Sequence, residues 1–207
     1  MEKTPLYVNS EGTDDLSIQV VGGIQDFGKQ VLNRDFQPTG WPNNLPNLRD
    51  FEKNGVIWVD SYKQALWNLY DRNKDATLFT ADITDGILVP DRFHSRVYAS
   101  SIQHLNPEKD TAELITPNKS GIVVSRAGFN PRDGEAYNQA MAYALALHEM
   151  GHLALGSKVC NSDNCVFSHN YDALEGIIQR FSSDGKMPIC DVDKKRLEEF
   201  KERWEIK

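Results

Sequence analysis

The chain has 207 residues, with 23 Lys and Arg against 30 Asp and Glu and a formal net charge of −7. That balance argues against nucleic acid or an anionic membrane surface as the main partner, and no stretch is apolar and long enough to span a bilayer. The length suits one domain over 1–207, with a sheet-and-helix part at 1–155 and a C-terminal part at 156–207. The opening MEKTPLYVNSEGTDD lacks the apolar centre of a signal peptide, which points to the cytoplasm.

In chain order, residues 16–21 (LSIQVV) alternate as a strand does. Residues 27–36 read as a helix with Phe27, Val31 and Leu32 on one side. The Pro-, Asn- and Gly-rich stretch 39–49 is expected to be a loop. A strand starts at 56–59, and Asp60 or Ser61 is placed to cap a helix reaching about Asp71, with Tyr62, Leu66, Leu69 and Tyr70 inward. Residues 76–83 and 86–89 read as strands joined by a turn at Thr84-Asp85-Gly86. A further strand is expected at 96–102, a loop at 105–120 and a buried strand at 121–126. Residues 130–134 (NPRDG) form a turn in which Asp133 is placed to cap the helix that follows. The stretch 136–155, AYNQAMAYALALHEMGHLAL, is apolar on nearly every face, as a buried helix is. The closing KKRLEEFKERWEIK reads as an amphipathic helix with a solvated charged face.

Within the buried helix stands His148-Glu149-Met150-Gly151-His152, an HExxH. Residues four apart share one helical face, so both imidazoles can reach one metal ion. Zinc accepts imidazole nitrogen, and a catalytic zinc takes three protein ligands and a water. Glu149 is then placed to take a proton from that water. Two histidines and a glutamate are costly to bury unpartnered, and a metal is the simplest partner. Gly156 is suited to end the helix, because glycine tolerates the backbone conformation that stops one. The three cysteines, Cys160, Cys165 and Cys190, all follow the motif. An odd count without a signal peptide speaks against a disulfide framework, and their proximity to the HExxH suggests a second metal site. Buried reduced thiols are the alternative.

The run HEMGHLALGSKVCNSDNCVFS resembles the archaemetzincin pattern HExxHxxGxxHC-x4-C-x-M, which a CxxC follows. Cys160 and Cys165 match its first two cysteines, and Phe167 stands where that family has the methionine of its Met-turn. Cys190 and Asp193, followed by Leu197, resemble the closing CxxCxxKL with aspartate replacing the last cysteine. Upstream, TADITDGILVP and SGIVVSRAGF are similar to two core segments of such proteins. The chain departs from the pattern in its glycine, one residue late, and at the third-histidine position, which falls on Lys158 or Val159.

The resemblance implies an α/β fold of zincin or metzincin type. Its features would be a mixed twisted sheet, a buried HExxH helix and a small cysteine-bearing C-terminal part. It implies a zinc-dependent peptidase with a catalytic zinc at His148 and His152, Glu149 as general base, and a second zinc at the cysteines. His169 is the candidate third ligand, at an offset where some metzincins place a tyrosine beside zinc. Glu175, on an expected later helix, is its rival, and Asp172 a weaker option. The fourth ligand of the cysteine site is Asp193, or His169 if the catalytic zinc does not use it. The expected partner is a peptide or protein substrate, laid by analogy along the 96–102 strand. The alternative is a catalytically impaired zinc protein that binds peptide or serves structure.

Overall fold

The computed structural model describes residues 1–10, 14–72, 76–90, 97–103, 114, 116–156, 160, 162–168 and 188–206. Its main sheet has five strands in the order β2-β1-β5-β8-β7. These are β1 (Glu2–Ser10), β2 (Arg34–Gly40), β5 (Leu78–Thr84), β7 (Ala99–Gln103) and β8 (Lys119–Ser125). Strands β2, β1, β5 and β8 run parallel, and β7 joins the β8 edge antiparallel, with Ser101 opposite Ile122. A three-stranded sheet is built from β3 (Glu52–Lys53), β4 (Val56–Trp58) and β6 (Ile87–Val89).

Central parallel strands are covered on both faces and therefore lose the polar alternation of a half-exposed strand. Strand β8, KSGIVVS, is buried at every residue. Ile122 and Val124 face one core with Phe79, Ala81 and Ile83 of β5, while Val123 faces the other. The first core is roofed by α1 (Asp15–Phe27), α3 (Glu135–Leu155) and α4 (Asp191–Arg203), which contributes Leu197 and Phe200. The second is roofed by α2 (Val59–Arg72) through Tyr62, Leu66 and Tyr70, as the inward face of that helix predicts. Leu69 is half-buried on its flank.

Three sequence expectations are overturned, besides the cap of α2, which begins at Val59 and so holds Asp60 and Ser61 inside its first turn. Residues 16–21 are helix α1, not strand. The Asp14 carboxylate accepts from the Ser17 amide at 2.8 Å, an N-cap, and the buried positions Ser17, Val20, Ile24 and Phe27 recur at helical spacing. Ile18, which completed the apparent alternation, is 61 % exposed. The actual first strand, β1, carries Pro5 and has polar residues along much of its length, which hid it. Second, the helix expected at 27–36 lasts only one wide turn, Gly28–Leu32. Asn33 turns left-handed at φ 52° and the chain enters β2, although Phe27, Val31 and Leu32 are all buried as expected. Third, Asp133 does not cap α3. Asn130 instead caps a short 3-10 turn, Pro131–Asp133, and Gly134 precedes α3 without a side-chain cap.

The turn at Thr84-Asp85-Gly86 is present, but the strands it joins part company, β5 into the main sheet and β6 beside β4. The loop expected at 39–49 is entered late, since β2 runs to Gly40, and a short 3-10 helix begins at Leu48. Helix α3 lies close over α1 because Gly23 leaves room. A Cβ there would stand 2.7 Å from the Tyr143 carbonyl oxygen and 2.9 Å from the Ala146 Cβ. No helix among the described residues is long and apolar enough to cross a membrane.

Candidate metal centre

Helix α3 carries the HExxH in its last two turns, which are buried as the sequence predicts, whereas residues 135–141 are exposed or half-buried. His148 is 3 % exposed and Glu149 5 %, while His152 is half-buried. The helix ends at Gly156, whose backbone (φ 64°, ψ −151°) lies in a region that favours glycine, and whose amide donates to the His152 carbonyl at 2.8 Å.

One donor atom from each of His148, Glu149 and His152 lies within 4.8 Å of the others. The two imidazoles stand edge to face, 4.9 Å between centroids. Each ring is held by a backbone carbonyl: His148 Nδ1 lies 2.9 Å from the Val166 oxygen, and His152 Nδ1 lies 2.7 Å from the Gly156 oxygen. A carbonyl only accepts, so each Nδ1 carries the proton and each Nε2 the lone pair. That tautomer is the one a metal-binding imidazole needs, and a carbonyl partner is its usual orienting group. The donor set therefore fits zinc.

Phe167 sits beneath this pair. Its ring packs on Gly151, and a Cβ at 151 would fall inside the ring. The residue that resembles the Met-turn methionine by position is thus an apolar floor under the HExxH helix. Sequence reasoning passed over Lys63, on the outward side of an amphipathic helix. Burial is the larger influence on its amine and lowers its pKa, while the carboxylates of Glu149 and Asp60 pull the other way. A cation consequently stands within electrostatic reach of Glu149. No spacing rule could have found it, because Lys63 and Glu149 lie far apart in sequence, on helices that cover different cores.

Cys160, Cys165, Cys190 and Asp193 form a second group, with donor atoms all within 4.8 Å. The Cys160 and Cys190 sulfurs are 3.6 Å apart, and Asp193 Oδ2 accepts from Cys165 Sγ at 3.2 Å and from Cys190 Sγ at 3.5 Å. Tetrahedral zinc with Zn–S near 2.3 Å separates its sulfurs by about 3.8 Å, so this set also fits. Burial pushes the Cys160 thiol up to about 11 and the Cys165 thiol higher still. Burial also works to raise Asp193, but the thiols of Cys160 and Cys165 and the Arg196 guanidinium outweigh it and hold its carboxyl below the usual range. Asp193 is 1 % exposed and stands with the three cysteines, where a fourth donor is expected. His169, Asp172 and Glu175 lie outside the described residues, as do Lys158 and Val159.

No protein-family model and no curated protein matches this sequence. Among solved structures, a zinc-dependent peptidase from Methanocorpusculum labreanum superposes with a TM-score of 0.57 at 16 % identity, over 93 % of this chain and 98 % of that one. Metalloproteinase-II from Bacteroides fragilis aligns with a TM-score of 0.46 at 8 % identity, over 96 % of this chain and 52 % of its own. The first likeness is one of fold: this chain has the α/β architecture of a zinc-dependent peptidase structure, and its HExxH lies on a buried helix of that fold.

Proposed function

We propose that the protein is a zinc-dependent metallopeptidase. The observation that carries this reading is the pair of carbonyl-anchored histidines with Glu149 between them, buried in a fold shared with a zinc-dependent peptidase. His148 and His152 are two of the ligands, and His169 is the third, with Glu175 its rival. Bound zinc supplies a Lewis acid that brings a water toward neutral pKa and polarises a carbonyl. Glu149 takes the proton of the attacking water and returns it to the leaving amine. A purely structural site has no use for a carboxylate beside its ligands, which favours the enzyme over a non-catalytic zinc protein. Strand β7 pairs with β8 on one side and, among the described residues, ends the main sheet on the other. An extended substrate peptide adds there as a further strand, its main chain supplying the hydrogen bonds. The cysteine cluster holds a second, structural zinc.

The test combines metal content with activity on peptide libraries. The wild type should hold zinc and cleave peptide bonds. Glu149→Gln should keep the zinc and lose about 10²–10⁴-fold in rate, the range spanned by a general base. Equal cleavage by the two proteins would sink the assignment of Glu149. Loss of one zinc equivalent in His169→Ala supports that residue as a ligand at one site or the other, and an unchanged count points to Glu175 or to neither.

A further inference from the structure

The carbonyls that aim the two histidines are each next in the chain to something the cysteine cluster holds. Val166, whose oxygen meets His148 Nδ1, follows Cys165 directly, and its amide donates to the Pro188 carbonyl at 2.8 Å, two residues before Cys190. Gly156, whose oxygen meets His152 Nδ1, follows Leu155, and the Leu155 carbonyl accepts from Arg196 Nη2 at 2.8 Å. The other arm of the same guanidinium, Nη1, donates to Asp193 Oδ1 at 2.6 Å. Asp193 turns its second oxygen to the thiols of Cys165 and Cys190. An unbroken path thus runs from the cysteines through Asp193 and Arg196 to the peptide unit that ends α3.

We propose that Arg196 is a positioning residue that ties the Cys160–Cys165–Cys190–Asp193 cluster to the end of α3, so that a metal in the cluster strengthens metal binding at His148 and His152. The proposal rests on the reading of both groups as metal sites. Charge supports it. Three thiolates and a carboxylate around a divalent ion leave an excess of two negative charges, and Arg196 is the cation that meets them at the carboxylate. The planar fork matters as well, because one group must serve two acceptors at fixed angles, which a lysine ammonium does less well. Loss of an outer partner that orients a metal ligand typically weakens the metal about 10–100-fold. Coupling between two sites is reciprocal, so the histidine metal should also strengthen the cluster.

The test uses the full chain, reduced and stripped of metal, as wild type, Arg196→Met and Arg196→Lys. One equivalent of Cd²⁺ goes first to the thiolates, which a sulfur-to-cadmium ultraviolet band reports. Co²⁺ is then titrated, and its visible d–d bands report the histidine site alone, since Cd²⁺ is silent there. We expect the cadmium band in all three proteins. Co²⁺ affinity should be about tenfold or more lower in Arg196→Met, with altered d–d bands, and Arg196→Lys should lie between. A variant that was merely less stable would keep the d–d spectrum and affinity of its folded fraction. If Arg196→Met keeps both while binding cadmium, the proposal is overturned and the two metal sites stand. If Arg196→Met takes no cadmium, Arg196→Lys decides in its place, and wild-type Co²⁺ affinity in that variant overturns the proposal. A wild type with no cadmium band overturns the cluster reading and the proposal with it, whereas one that shows no Co²⁺ bands overturns the metallopeptidase reading.

Discussion

At the scale of single residues, the chemistry depends on which atom of each side chain is engaged. His148 and His152 spend Nδ1 on backbone carbonyls, which fixes the tautomer in which Nε2 is the nitrogen suited to a metal. Asp82 is a different case. It is fully buried in β5, accepts from the Tyr62 hydroxyl and, at 3.0 Å, from Asn9 Nδ2, and burial pushes its carboxyl up to about 7 despite both donors. A carboxyl raised on folding binds its proton longer in the native than in the unfolded chain. Its contribution is therefore full below about pH 4, the unfolded value, and is lost as pH rises through about 7. We predict that Asp82→Asn flattens the fall of unfolding free energy between those limits, by up to one proton per molecule. Urea titrations at several pH values measure it, and parallel pH curves for the two proteins would refute the assignment.

At the scale of elements, α3 is placed by close contacts on two sides, Gly23 of α1 above and Phe167 below Gly151. Gly151 stands in the interior of a helix, where alanine would ordinarily be favoured by about 1 kcal/mol. The ring beneath it reverses the balance, since overpacking a filled core costs about 1–3 kcal/mol. Gly151→Ala should therefore destabilise the fold rather than stabilise it. It should also weaken metal binding, because moving Phe167 moves the Val166 carbonyl that aims His148. Denaturant midpoints and zinc affinity read the two effects, and a more stable Gly151→Ala protein would contradict this packing.

At the scale of the whole molecule, metal bound at either candidate group would be coupled to folding, because the donors come from the C-terminal end of α3 and from the chain beyond it. A site held at about 100 times its dissociation constant adds about 2.7 kcal/mol of stability. For a chain of this size that corresponds to roughly 5–10 °C in Tm. Chelation should lower Tm by about that much per zinc lost, and added zinc should restore it. A Tm indifferent to chelator would show that neither group holds metal in the folded protein.

What could be read from the chain alone is what local chemistry and short-range periodicity encode. The HExxH, the buried helix around it, its stop at Gly156, and the strands around β5, β7 and β8 all fall in this class. Each is fixed by side chains within one or two turns of each other. The misread stretches are those where local pattern was ambiguous: residues 16–21 satisfy strand alternation on paper, and only packing against α3 selects the helical face. Tertiary structure alone decided the partners that lie far apart in sequence. It brought Arg196 to Leu155 across 41 residues and Lys63 of α2 into the field of Glu149, whereas the grouping of Cys160, Cys165, Cys190 and Asp193 was already expected from the chain. Sequence fixes which atoms can bind a metal. The fold fixes which carbonyl, cation or thiol stands beside them, because burial and charge compensation act through space and carry no signature in spacing.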